Sequence, residues 1–181
     1  MSKLVEKKIS SQTVYKGNFL DVKKDNVVLP NGENSTREWI NHPGAVVIVP
    51  ILPSGKIALI RQFRYAMGSE FIELPAGKID KGETPDECAI RELEEEIGFK
   101  TKNLNFISMI HPAIGFANEN MSLYLATDLV QTNINRDSDE FLELMPTSLE
   151  HALDLVWSNK ITDVKTIIGI LWYQKIYQES K

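Results

Sequence analysis

Residues 77–99 read GKIDKGETPDECAIRELEEEIGF, and the reading of the whole chain turns on this stretch. Thr84 can cap a helix, Pro85 takes the first helical position, and Glu87 completes a capping box. Gly98 supplies the stop. The spacing predicts a helix over 84–97. Within it Glu92, Glu95 and Glu96 are three and four residues apart and share one face, while Ala89, Leu93 and Ile97 mark the opposite, core-facing stripe. With Glu94 included, four carboxylates crowd into the five positions 92–96. Such crowding is unfavourable unless positive charge neutralises it. Arg91 offsets part of it, and a divalent cation would offset far more. Hard cations such as Mg²⁺ take oxygen ligands and bridge carboxylates to substrate phosphates. The glycine-bearing loop 75–82 can bring backbone close to the same cation and phosphate. This is the outline of a phosphoryl-hydrolysis site, in which metal polarises phosphate oxygens and activates water. Taken alone, ELEEEI would also suit a solvated acidic helix face; the surrounding glycine, glutamate and arginine argue for the site.

Outward from the helix, the N-terminal side reads as strands. Residues 13–15, 20–29 and 37–41 carry β-formers, separated by turn chemistry at Lys16-Gly17 and Pro30-Asn31-Gly32. The run AVVIVPIL at 45–52 is almost wholly apolar, as in a strand covered on both faces. Pro53-Ser54-Gly55 turns into a second core strand at 56–61, and 71–74 leads into Pro75-Ala76-Gly77. Beyond the helix, strands are expected at 104–110 and 121–127 around a loop at 111–120, then an exposed loop at 131–142. Helices follow at 149–158 and 163–178, the second with Val164, Ile167, Ile168, Leu171, Trp172 and Ile176 as its apolar residues. The order predicts an α+β fold, a mixed sheet between helices, preceded by a β-rich segment. The expected division is 1–42 for that segment and 43–181 for the main domain.

Composition narrows the class. A chain of 181 residues suits one domain with a small appendage and buries a core without staples. A net charge of −5 gives no basic footprint for nucleic acid, so an anionic substrate needs locally concentrated positive charge, which a bound metal supplies. The single cysteine, Cys88, cannot form an internal disulfide and reads as a small buried hydrophobe. The polar start and the lack of a long apolar run lead to the expectation of a cytoplasmic protein without membrane contact. Zinc-binding, serine-nucleophile and P-loop motifs do not occur. His111 beside the 111–120 loop reads as a hydrogen-bonded structural histidine, and His42 and His151 carry no signal.

The 77–99 stretch resembles the Nudix box: Gly, five residues, Glu, seven residues, then Arg-Glu-apolar-any-Glu-Glu-any-Gly-apolar. Gly77, Glu83, Arg91, Glu92, Leu93, Glu95, Glu96, Gly98 and Phe99 fill every defined position. The resemblance implies the Nudix fold, with Glu92, Glu95 and Glu96 as ligands of Mg²⁺ or Mn²⁺ and the Ala76 carbonyl as a further ligand. It implies that Arg91 and Glu83 orient the loop and the glutamates.

The flanks RQFRYAMGSEFIELPAG (61–77), HPGAVVIV (42–49), GFANENMSLYL (115–125) and ITDVKTII (161–168) are similar to ADP-ribose pyrophosphatases. That branch implies hydrolysis of ADP-ribose to AMP and ribose 5-phosphate by an intertwined homodimer built through N-terminal strands. It points to Glu119 as the base, with Glu95 as a second candidate. It gives Arg64 to the diphosphate, with Arg37 as another arginine for that role, and Trp39 to stacking on adenine. Arginine suits the task because its fork matches phosphate oxygens. One departure is Ile114, where those enzymes carry proline before the glycine. It leaves open other substrates: ADP-sugars, NADH, diadenosine polyphosphates and GDP-mannose. A nucleotide-sensing domain without catalysis is the reading of a different class; the complete glutamate set argues against it.

Overall fold

The computed structural model describes residues 3–132 and 141–179. Two compact units emerge: Met1–Gly44 with Ala113–Asn120, and Ala45–Pro112 with Met121–Lys181.

The first unit carries a three-stranded antiparallel sheet in the order β1-β2-β3, formed by Lys7–Lys16, Asp21–Val28 and Asn34–Ile40. Both turns expected from Gly and Pro chemistry form. Gly17 N–H donates to Leu20 O at 2.8 Å, and Gly32 closes its turn at φ 91°. Strand β1 is exposed along its whole length and longer than the three residues expected. The 113–120 segment packs with this sheet through a bridge between Ile40 and Ala117, an association the sequence did not announce.

The second unit is built on β4 (Ala45–Pro50) and β5 (Ile57–Arg64). The apolar run makes β4 buried at every position. Val47 and Val49 face one core with Leu59, Ala152, Val156 and Ile170. Val46 and Ile48 face a second core with Ile60, Ala89, Leu93 and Ile97. Alternation along one strand therefore serves two layers of helix, α1 (Pro85–Glu92) on one side and α2 (Leu149–Trp157) with α3 (Val164–Glu179) on the other. Each fully buried Ile or Leu contributes about 1.5–3 kcal/mol on transfer from water. β4 is central to a mixed four-stranded sheet, β7-β4-β9-β8, with β7 at Ala76–Lys78, β8 at Phe99–Ile110 and β9 at Met121–Gln131. β4 runs parallel to β9 and antiparallel to β7. β5 is central to a three-stranded sheet with β6 (Ser69–Glu73) and β10 (Leu142–Thr147). The α+β class and the sandwich of mixed sheet between helices are as expected.

Four expectations need correction. No strand is expected from the sequence at 142–147, yet β10 forms there; it contains Pro146, which an edge strand tolerates. Residues 76–78, read as loop, are the edge strand β7. Both ends of the exposed loop expected at 131–142 are strand, since β9 reaches Gln131 and β10 begins at Leu142; positions 133–140 lie outside the described residues. In α3 the buried residues are Lys165, Thr166, Gly169, Ile170 and Tyr173, whereas Val164 and Trp172 among its expected apolar residues are exposed. Apolar residues surround this helix, so their period alone cannot phase it; the close approach is made at Gly169. A Cβ there would lie 2.4 Å from Leu74 Cδ1 and 3.2 Å from Val49 Cγ2.

Candidate active site

The helix of the glutamate motif begins as its residues dictate. Thr84 accepts from Glu87 N–H, and Glu87 accepts from Thr84 N–H at 2.8 Å. Its last turn, Leu93–Ile97, is π-wound, and Gly98 ends it at φ 72°. Such turns recur at functional sites. The carboxylates do not lie on a solvent face opposite the core. Glu92 is 7% exposed and Glu96 2%, beside the equally buried Leu93 and Ile97.

What buries them is the backbone of β7. The Ala76 N–H donates to Glu96 Oε2 at 3.2 Å. A Cβ built on Gly77 would lie 1.7 Å from Glu92 Oε1, so only glycine admits that carboxylate. The loop glycine thus acts by close approach of backbone to a side chain. Glu95 is half-buried and reaches Arg91 Nη1 at 2.8 Å.

Arg91 ties the motif together. Its Nε and Nη2 grip Glu83 at 2.8 and 3.0 Å, and its Nη1 meets Glu92 Oε1 at 2.7 Å as well as Glu95. Nη2 also donates to the Lys78 carbonyl at 3.1 Å. The hydrogen bond that Arg91 donates to Glu83, first, and those it donates to Glu95 and Glu92 raise the guanidinium pKa against the opposing effect of burial. Arg91 correspondingly holds Glu83 down at about 2. Cys88 is fully buried, donates toward the Lys78 carbonyl and is pushed up to about 12 by burial. It is a packing residue, as expected.

Arg64, at the end of β5, donates a side-on pair of hydrogen bonds to Glu73, with Nε to Oε1 and Nη2 to Oε2 both at 2.7 Å. Glu73 is 2% exposed and also accepts from Lys165 at the start of α3. Burial opposes ionisation of Glu73, but the Arg64 bonds and the Lys165 charge outweigh it and hold its pKa below the usual range. Lys165 reaches Asp163 Oδ2 at 3.0 Å as well. The sequence reading missed Glu73, Asp163 and Lys165. Their signal was present: charges set among apolar residues in FIELPAG and ITDVKTII.

The remaining candidates belong to the first unit. Arg37 donates to Glu6, to Ser35 Oγ at 3.2 Å and to the Thr36 carbonyl at 2.8 Å. Trp39 is half-buried on β3, opposite Lys23. Glu119 Oε1 lies 3.8 Å from His42 Nε2. His42, passed over in the sequence, accepts the Gly44 N–H on Nδ1 at 3.1 Å, so its proton sits on Nε2, on the side of Glu119. Asn118 Oδ1 accepts from His42 N–H at 2.7 Å, which holds the Glu119 loop to this corner. His111 is exposed.

As they stand, no three His, Cys, Asp or Glu side chains among the described residues gather as a metal site. The chemistry of the donor set nevertheless fits a hard cation. It consists of carboxylate oxygens, two of them buried against a backbone that only glycine can bring so near. One guanidinium faces three carboxylates, Glu83, Glu92 and Glu95, which leaves negative charge in excess.

Fold, glycine cradle and glutamate helix together define a hydrolase class, and the chain belongs to the Nudix family: the NUDIX domain matches residues 41–164. The nucleoside diphosphate sugar hydrolase N-terminal domain matches residues 6–40. Among relatives, the chain is 41% identical to an ADP-ribose pyrophosphatase of Bacillus subtilis (strain 168), over 96% of this chain and 95% of that one. It is 37% identical to a methanol dehydrogenase activator of Bacillus methanolicus, over 96% of both. The crystal structure of an ADP compounds hydrolase superposes with a TM-score of 0.88 at 25% identity, covering 99% of this chain and 98% of that one. No helix among the described residues is long and apolar enough to cross a membrane.

Proposed function

We propose that this protein hydrolyses the diphosphate bond of ADP-ribose to AMP and ribose 5-phosphate, with Mg²⁺, or Mn²⁺ in its place, as cofactor. The reading is supported above all by the pairing of two buried glutamates, Glu92 and Glu96, with the Ala76-Gly77 backbone. It is supported too by the likeness to ADP-ribose pyrophosphatases along nearly the whole chain. Glu92, Glu95, Glu96 and the Ala76 carbonyl would hold the cation. When bound, it would supply Lewis-acid stabilisation of charge on the phosphate oxygens and a more acidic water.

The protein's own residues supply the rest. Water adds to one phosphorus, the bridging P–O bond breaks, and the water proton passes to a carboxylate. Glu119 or Glu95 is that acceptor. Arg91 holds Glu92 and Glu95 in place between substrate turnovers. Arg64 offers its outer donors to the diphosphate, with Arg37 as a second arginine, and Trp39 stacks on adenine. The N-terminal strands 1–42 form a homodimer; the exposed Ile9, Val14 and Tyr15 of β1 supply apolar surface for it. Light scattering that finds only monomer overturns this last assignment.

The test of substrate is a side-by-side assay of ADP-ribose, GDP-mannose, NADH and diadenosine polyphosphates with Mg²⁺ and Mn²⁺. ADP-ribose should give a kcat/KM higher than the others by roughly tenfold or more. A higher value for another compound moves the assignment to that substrate; no metal-dependent product from any of them refutes the enzyme reading.

A further inference from the structure

We infer that Lys165 is a positioning residue: through the buried carboxylate of Glu73 it holds Arg64 as a preset fork for the substrate diphosphate. The inference rests on the proposed assignment of Arg64 to that group.

The geometry supplies the argument. A guanidinium has five N–H donors. Glu73 engages the inner edge of Arg64, Nε and one donor of Nη2. Among the described residues no hydrogen bond engages Nη1. The outer edge therefore stays available, and its direction is set by Glu73. Arg64 keeps 44% of its side-chain surface exposed, whereas Glu73 keeps 3%. A fork held this way pays little ordering entropy when an anion arrives. The charge of Glu96 also reaches Arg64, which sets the fork within the electrostatic field of the glutamate helix.

Glu73 needs a second partner to do this. A buried carboxylate with one half-exposed arginine would draw that arginine inward or take up a proton. Lys165, 9% exposed, supplies the second positive charge on Oε2, and Asp163 balances it. Asp163 in turn accepts from Thr166 N–H and Oγ1, and Thr166 Oγ1 accepts from Leu74 N–H at 2.8 Å. The first turn of α3 is thereby linked to the residue after Glu73, so the lysine cannot drift from the carboxylate. Two cations and two carboxylates close the cluster at neutrality. A purely structural role would need only that neutrality. It would not need an arginine with its outer edge left open.

The experiment is a double-mutant cycle on the full chain with ADP-ribose and Mg²⁺. Lys165→Met should raise KM roughly tenfold while kcat stays within about threefold, and Lys165→Arg should restore most of the loss. Arg64→Lys should raise KM by itself. In the Arg64→Lys background, Lys165→Met should add almost nothing, because both act through one fork. An effect of Lys165→Met that persists in full in that background, or a fall in kcat with KM unchanged, overturns the positioning role. An unchanged KM in Arg64→Lys instead overturns the diphosphate assignment itself, so the two failures are told apart. Should Lys165→Met not fold by circular dichroism, Glu73→Gln carries the same test: its KM should rise in the wild-type background and not in Arg64→Lys.

Discussion

Two arginine-centred clusters stand out in this molecule, and they are balanced differently. Around Arg91 one cation faces three carboxylates, with Glu96 buried close by on the same helix. Around Arg64 two cations face two carboxylates. The first cluster carries a negative surplus inside a partly desolvated site, where charge is expensive to leave uncompensated. Under the proposed reading, a divalent cation would balance that surplus. The second is complete in itself and leaves an arginine edge outward, which suits an anion. On the same proposed reading, the cation and anion halves of a metal–diphosphate complex would rest on separate, differently charged supports.

The comparison breaks most readily at Gly77. In Gly77→Ala the new Cβ would meet Glu92 Oε1 at 1.7 Å, so the carboxylate must leave β7. Because the Arg64 cluster is untouched, kcat/KM should fall by roughly a hundredfold or more, while the thermal midpoint drops by only a few degrees. Measured kinetics beside a melting curve decide it; activity near wild type would show that the cradle does not matter.

A smaller effect sharpens the same contrast. Hydrogen bonding by Arg91, first, holds Glu83 at about 2, below its ordinary 4.5. A carboxylate with a depressed folded value stabilises fully above its unfolded value and loses that stabilisation as pH falls through the folded one. Between pH 4.5 and 2 the metal-free wild type should therefore lose stability more steeply than Glu83→Gln, as chemical denaturation at each pH would show. Equal slopes would mean that Arg91 does not hold Glu83 in solution.

Much of this was legible in the sequence, and the reasons differ by element. The capping box, Gly98 and the apolar run of β4 obey local rules, so they could be read directly. The box glutamates could be read as a set because their spacing is helical. Their burial could not, since it depends on how near Gly77 brings β7, a contact across fifteen residues. Glu73 and Lys165 stand 92 residues apart, and no local pattern pairs them. The buried face of α3 could not be read for a related reason: with apolar residues all round, tertiary contact at Gly169 decides the phase. β10 was not expected, and its Pro146 gives no help, because edge and central strands cannot be distinguished before the sheet is assembled.

The claim on which the account turns is that the surplus carboxylates of the first cluster exist to hold a divalent cation. Mn²⁺ binding followed by electron paramagnetic resonance, in wild type and in Glu96→Gln, addresses it without relying on turnover. The account predicts tight binding by the wild type that strengthens with a nucleotide diphosphate present, and at least roughly tenfold weaker binding by a folded Glu96→Gln. Equal Mn²⁺ affinity in the two proteins would contradict it.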